Sequence, residues 1–321
     1  MRILITGGTG FIGSHLTNHF SDEGHEVIVV GTKTEQSPRA AKYLGLTLGG
    51  FDFNRLQKLG KIDVCFHQAA NNDTLDLDRD EMMWANLESP KKFLKEVCNL
   101  NGCRKIIYAS SAAVYGSSPA PYKEGETKEN PLNPYGESKV EFDKWALQWP
   151  ASGDFWGERL SVIGLRYTNV YGPNEGHKGR RASMIHQLIH QMRKGYSPKL
   201  FKDGTQQRDW VYIKDVVRAN IAALAYQGSG VFNCGSGKAT SFNTLVDVIN
   251  KKLRTKYSVR GTVPNDVPVT WIDCPFKEAY QDFTQADMTK AREVLGFHPA
   301  YDIEAGISEF LDALGGKTET S

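Results

Sequence analysis

The chain opens on an apolar run, Arg2-Ile3-Leu4-Ile5-Thr6, that breaks into closely spaced glycines, Gly7-Gly8-Thr9-Gly10-Phe11-Ile12-Gly13. A strand that turns through glycines into an amphipathic helix constrains the fold more than any other feature here. Glycine lets the backbone approach a diphosphate closely, and the next helix presents free N–H groups and a positive dipole at its start. Periodicity predicts a strand at residues 3–6 and a helix at 11–22, the context such a phosphate turn requires. Read without a ligand, the same pattern is a tight strand-to-helix turn.

Residues 1 to 168 continue the alternation. Near-continuous apolar runs at 27–30, 64–68, 105–110 and 161–167 read as strands buried on both faces of a parallel sheet. Helical patterns lie between them, at 80–99 and 135–149. This predicts an α/β fold, a doubly wound parallel sheet of the Rossmann type, with ligands at the carboxyl ends of its strands. Beyond Tyr167 the pattern is irregular. Helices are expected at 182–194, 215–226 and 242–254, and strands at 210–213 and 231–233. The expected division is a dinucleotide-binding domain of residues 1–169 and 207–238. A smaller, mainly C-terminal α/β substrate lobe takes 170–206 and 239–321. The polar tail at 315–321 is expected to be disordered.

Composition excludes more than it selects. A chain of 321 residues has room for about two domains and a sizeable core. Its formal net charge of +2, without a basic block, argues against a nucleic-acid partner, and no apolar run reaches a membrane span. The glycine motif starts so early that no cleaved leader is expected, which points to the cytoplasm. Cys65, Cys98, Cys103, Cys234 and Cys274 are odd in number and lack CxxC spacing. They read as reduced thiols rather than a disulfide or metal framework.

A second motif carries chemistry. Ser110-Ser111-Ala112 stands at the end of a predicted strand, and Tyr135-Gly136-Glu137-Ser138-Lys139 opens a predicted helix. Residues i and i+4 share a helix face, so the Lys139 ammonium is expected near the Tyr135 phenol. A nearby cation favours phenolate, lowering a pKa otherwise near about 10. The Ser111 hydroxyl could then bond both a substrate oxygen and the phenol, an arrangement that takes an alcohol proton as hydride leaves the carbon. The alternative is a surface tyrosine beside a solvated lysine.

These motifs occur with His67-Gln68-Ala69-Ala70, Arg166-Tyr167-x-Asn169-Val170-Tyr171-Gly172-Pro173 and Arg208-Asp209-Trp210-Val211-Tyr212. Together they resemble the extended short-chain dehydrogenases/reductases, the superfamily of sugar-nucleotide epimerases and dehydratases. The resemblance implies that Ser111, Tyr135 and Lys139 are catalytic. It implies cofactor contacts at Gly7, Gly10, Phe11, Ile12, Gly13, Thr32, Lys33, Asp52, Phe53, Gln68, Ala69, Ala70 and Asn86, besides Tyr135 and Lys139. Further segments, Gly176-His177-Lys178-Gly179, Ser197-Pro198-Lys199-Leu200-Phe201 and Tyr280-Gln281-x-Phe283-Thr284-Gln285-Ala286-Asp287, resemble ADP-glyceromanno-heptose 6-epimerases, enzymes of lipopolysaccharide precursor synthesis. That likeness implies bases matching Tyr135 and Lys178 on opposite faces of the sugar. It also implies substrate contacts at Asn169, His177, Lys178, Phe201, Arg208 and Tyr280, no metal, and a homo-oligomer. Read alone, Lys178 is also a loop lysine that could contact phosphate beside Arg180 and Arg181.

Three stretches depart from the family. An acid that binds the cofactor ribose usually ends the second strand, and Gly31 stands there, followed by Thr32-Lys33-Thr34. Without that carboxylate, Lys33 or Arg39 could take a 2′-phosphate, so NADP is expected rather than NAD. NAD remains the alternative, with Glu35 reaching back to the ribose. The loop at 149–158, with its two tryptophans, is longer than usual, and Arg180-Arg181 replace residues that are commonly small or apolar. The expected activity is a transient oxidation and re-reduction of a nucleotide-diphosphate sugar, with ADP-heptose or a related heptose first. A UDP-glucose or UDP-glucuronate 4-epimerase is the alternative. Dehydration is disfavoured because Ala112-Ala113 stand where an acid pair is needed. A non-catalytic dinucleotide sensor would have no need of Tyr135 and Lys139.

Overall fold

A computed structural model describes residues 1–31, 42–45, 50–151, 159–257, 267–274 and 281–315. Strands β1 (Arg2–Thr6), β2 (Glu26–Gly31), β3 (Lys42–Gly45), β4 (Val64–His67), β5 (Lys105–Ser111) and β6 (Ser161–Tyr167) come first. Among them run helices α1 (Phe11–Asp22), α2 (Phe53–Gln57), α3 (Arg79–Met83), α4 (Ser89–Asn101) and α5 (Pro134–Gln148). The second half holds β7 (Asn169–Tyr171), α6 (Met184–Arg193), β8 (Lys199–Phe201), β9 (Gln207–Tyr212), α7 (Ile213–Ala225) and β10 (Gly230–Cys234). It closes with β11 (Ala239–Ser241), α8 (Phe242–Tyr257), β12 (Thr270–Ile272), α9 (Thr289–Leu295) and α10 (Ile303–Gly315).

Seven of these strands form one parallel sheet in the order β10-β6-β5-β4-β1-β2-β3. The order reverses direction between β1 and β4, which opens a crevice at their carboxyl ends. Alternate side chains explain the apolar strands. Ile3, Ile5, Val27 and Val29 join α1 and α7 in one core, while Leu4, Ile28 and Cys65 join α4 and α5 in the other. Both faces are covered, so the strands are apolar on both sides except where a buried polar group finds a partner, as Ser110 and Arg166 do at Asp143. The register pairs Thr6 with His67, and Ser111 with Tyr167, so the residues of both chemical motifs end at one edge of the sheet.

The remaining strands build smaller sheets, β11-β9-β7 and β12-β8. The strand read at 210–213 is β9, which pairs with β7 and β11 outside the large sheet, whereas β10 closes that sheet against β6. The helix read at 80–99 is α3 and α4 joined by a π-helical turn, Trp84–Glu88. Strand β3 and helix α9 went unread because such short segments carry little period, and α10, which does carry a helical period, went unread as well. Helix α10 extends to Gly315, so that the expected disorder of the tail does not hold for its first residue. Residues 316–321, 152–158, Thr32, Lys33, Glu35, Arg39 and Tyr280 lie outside the described residues. Among the described residues no helix is long and apolar enough to cross a membrane.

Candidate active site

The glycine turn wraps tightly. Gly7 has a φ of +66°, and a Cβ there would stand 2.8 Å from the Ala69 nitrogen. At Gly13 a Cβ would meet the Gly7 carbonyl oxygen at 2.1 Å. Helix α1 therefore starts against the end of β1, and its N-cap, Gly10, makes no side-chain hydrogen bond. The first N–H groups of α1 are left for a ligand. They open on a cavity of about 960 Å³ whose lining includes Gly7, Gly10, Phe11, Ile12, Gly13, Gly31, Gln68, Ala69 and Ala70. An uncapped helix start on a cradle that a Cβ would fill fits the diphosphate of a dinucleotide. Behind this wall Thr6 Oγ1 and His67 Nδ1 are 2.7 Å apart, and Thr6 Oγ1 accepts the Ala69 N–H at 3.2 Å. Burial, aided by the Lys139 charge, holds His67 down to about 3, so the ring is neutral.

The same cavity is lined by Ser111, Tyr135 and Lys139. Helix α5 starts cleanly because Asn133 Oδ1 accepts the Gly136 N–H at 2.9 Å and Pro134 occupies the first turn. Ser111 Oγ accepts the Ala113 N–H at 3.1 Å and lies close enough to the Tyr135 phenol to favour its ionised form. Lys139 is only 4% exposed, which removes the reading of a solvated surface lysine. Its ammonium donates to the Ala109 carbonyl at 2.9 Å and stands 5.7 Å from the centroid of the Tyr135 ring. One turn further, buried Asp143 accepts from Tyr108, Ser110 and Arg166, each at 2.9 Å, and fixes α5 to β5 and β6.

The electrostatics correct one expectation. The Tyr135 phenol is pushed up, not down: burial dominates, and the neighbouring Ser111 hydroxyl only opposes it. Lys139 itself is pushed down to about 8 by burial, against the raising effect of Asp143. Desolvation disfavours both charged forms, and it outweighs the attraction that helix spacing suggests.

A second cavity, about 550 Å³, is lined by Asn169, Phe201 and Arg208, with Lys199, Trp210 and Phe242 among its other walls. Val170, Lys178 and Arg181 belong to the walls of both cavities, and His177 lines the first. Lys178 is therefore at the junction of the two spaces. Its Nζ is 3.7 Å from Glu175 Oε2 and 5.2 Å from the centroid of the Phe11 ring. Burial pushes the Lys178 ammonium down, and Glu175 opposes that.

Three expected cofactor residues are not brought to either cavity. Asn86 lies in the π-helical turn, and its amide is spent on the Asn71 main chain at 2.8 Å and on Ser138 Oγ at 3.1 Å. It pins Asn71, which does line the first cavity. Asp52 caps α2 through the Asn54 N–H at 2.8 Å, and Phe53 packs on Phe51. Among the described residues of this segment, Gly50 reaches the wall. Sequence reading missed Glu175, Asn71, Asn72 and Trp84. Of these, Glu175 carried a signal, a carboxylate three residues before the lysine already singled out.

A model of the NAD dependent epimerase/dehydratase family matches residues 3–235. The ADP-L-glycero-D-manno-heptose-6-epimerase of Helicobacter pylori is 34% identical, with a TM-score of 0.84 over 98% of this chain and 96% of that one. The UDP-N-acetylglucosamine 4-epimerase of Methanobrevibacter ruminantium, solved with UDP-N-acetylmuramic acid, is 26% identical, with a TM-score of 0.85 over 99% of each chain. MoeE5, solved with UDP-glucuronic acid and NAD, is 27% identical, with a TM-score of 0.83 over 98% of this chain and 99% of that one. A match of this extent, on a sheet and a Ser–Tyr–Lys cluster of the expected kind, means that the chain belongs to the NAD-dependent epimerase/dehydratase family and is an NAD(P)-dependent epimerase.

Proposed function

We propose that the chain is a nucleotide-diphosphate-heptose 6-epimerase, with ADP-heptose the first substrate to test. The observation that carries this reading is Lys178, a largely buried amine on the wall common to both cavities. The same wall carries Phe11 at the start of α1, its ring centroid 5.2 Å from the ammonium, so contact with phosphate is the competing role for Lys178, and a Lys178→Met variant separates the two by kcat against KM. The 34% identity to the Helicobacter pylori heptose enzyme supports the same choice.

In this reading Gly7, Gly10, Phe11, Ile12 and Gly13 hold the cofactor diphosphate. A nicotinamide cofactor held there would supply the transient hydride acceptance and return that inversion of a sugar carbinol needs. Ser111 orients the sugar hydroxyl, and Tyr135 takes its proton. Lys139 holds the end of β5 through the Ala109 carbonyl and adds positive charge beside the phenol. Lys178 hands a proton to the new hydroxyl on the other side, or takes one in the reverse direction. Asn169, His177, Phe201 and Arg208 are the proposed substrate contacts. NADP is the proposed cofactor, because β2 ends in Gly31 rather than an acid.

The likeness to a UDP-N-acetylglucosamine 4-epimerase supports a second reading, a UDP-hexose 4-epimerase that uses the Tyr135 side alone. Incubation with ADP-heptose, GDP-heptose and UDP-hexoses, with product stereochemistry followed by NMR, separates the two. Inversion of a UDP-hexose at carbon 4, with no change in either heptose, rejects the heptose reading. A homo-oligomer is part of the proposal, and sedimentation tests it.

A further inference from the structure

Glu175 is completely buried, yet it belongs to neither the glycine turn nor the Ser–Tyr–Lys cluster. Its Oε1 accepts from Ser183 Oγ at 2.6 Å and from the Gly172 N–H at 3.3 Å. Its Oε2 accepts the Ser183 N–H at 2.7 Å and faces Lys178 Nζ at 3.7 Å. A buried carboxylate with that many donors is fixed in place, and isolated burial of such a charge is costly. The groups around Lys178 are unlike each other. On its own loop Arg181 repels it, and from α6 His186 is neutral, pushed down to about 4 by burial. From α1 comes the uncharged ring of Phe11. Glu175 is the anion paired with Lys178 among the described residues.

We propose that Glu175 is a positioning residue that acts through Lys178, its buried carboxylate holding that ammonium at the junction of the two cavities. This rests on reading Lys178 as the second acid/base. Three bonds tie Glu175 to the ends of one loop, at Gly172 and Ser183, and the fourth contact is with Lys178 at the middle. The carboxylate thus sets where the lysine stands within the loop. It also favours the protonated amine against the desolvation that opposes it, so that Lys178 is ready to donate.

Glu175→Gln keeps the size and an acceptor for Ser183 and deletes the charge. An opposite charge at this range typically shifts a partner by about 1–3 pKa units. The variant's Lys178 should therefore titrate lower than the wild type's by at least about one unit. The direct readout is the pH dependence of reductive methylation by formaldehyde and cyanoborohydride, with the Lys178 peptide followed by mass spectrometry. Below the wild-type midpoint, labelling should be about tenfold faster in the variant. The alkaline limb of kcat, in the direction where Lys178 donates, should move down by the same amount, with KM changed less than about twofold. Glu175→Asp keeps the charge and withdraws it by one methylene, so its shift should be smaller and of the same sign. Unshifted labelling in Glu175→Gln, or an Asp variant that titrates at or above the wild type where Gln does not fold, overturns the proposal. Lys178→Met in parallel separates the underlying reading: normal kcat there removes Lys178 from the chemistry, while a labelling shift still establishes the Glu175–Lys178 coupling.

Discussion

Lys178 presents its ammonium to the Phe11 ring, 5.2 Å from the ring centroid. Phe11 is the first residue of α1, the helix whose start faces the diphosphate side of the cleft. A second tie lies one turn on, where the His15 ring bonds the Pro173 carbonyl at 2.9 Å. The loop that carries the second candidate acid/base is therefore built onto the cofactor helix, rather than hung from the substrate side alone.

Lys178→Met keeps the stem and deletes the ammonium. Epimerisation should fall about 10²–10⁴-fold in kcat, the usual worth of a positioned acid or base. Oxidation of one epimer at the Tyr135 face should survive in a single-turnover assay. The check is kcat and KM for interconversion. A normal kcat with a raised KM reassigns Lys178 to substrate binding and favours the 4-epimerase reading.

Tyr135→Phe should lower turnover about 10²–10⁴-fold and leave the fold and cofactor binding in place, because the ring packs and the hydroxyl transfers the proton. Stopped assays with the preferred sugar nucleotide, alongside cofactor titration by calorimetry, measure both. Activity within a few-fold of wild type would remove Tyr135 from the chemistry.

Gly31 ends β2 and lines the first cavity. An aspartate there would repel a 2′-phosphate and bond the ribose hydroxyls of NAD. A Cβ would meet Thr9 Oγ1 at 3.0 Å, a side chain that has to give slightly. The wild type should prefer NADP, and Gly31→Asp should shift the ratio of dissociation constants toward NAD by tenfold or more, of the order of one charged contact. Release of NAD alone from denatured wild-type protein, with no NADP binding by calorimetry, would reverse the expectation.

Acid should weaken the protein through His67. Its native value is about 3, against an ordinary 6.5. Above 6.5 neither state binds the proton. Between 6.5 and 3 the unfolded chain takes it up and the native state does not, so stability falls by about 1.4 kcal/mol per pH unit on this account. His186, at about 4, and His15, also lowered by burial, add loss of the same sign. His67→Gln should start less stable at neutral pH and show a shallower decline, read from urea midpoints between pH 7 and 4. Equal slopes in the two proteins would exclude His67 as a source.

The sequence by itself determined the sheet's central strands, the glycine turn and the pairing of Tyr135 with Lys139, because each is a local pattern. An apolar run buried on both faces, a glycine where a Cβ would strike the preceding turn, and i, i+4 spacing need only neighbouring residues to be read. The placement of Asn86 needed the tertiary structure, since its amide is consumed by Asn71 and Ser138 from distant segments. Asp52 and Phe53 likewise serve α2 and the packing around it, which no spacing rule reveals. The charge state of the site was decided by depth. Burial raises Tyr135 and lowers Lys139, whereas adjacency on a helix predicts attraction alone. Glu175 gained its place for the same reason: only the packed loop puts Gly172, Ser183 and Lys178 around one carboxylate. Local pattern fixes which chemistry is present, and long-range packing fixes which side chains reach it and how they are charged, because desolvation depends on everything that surrounds a group.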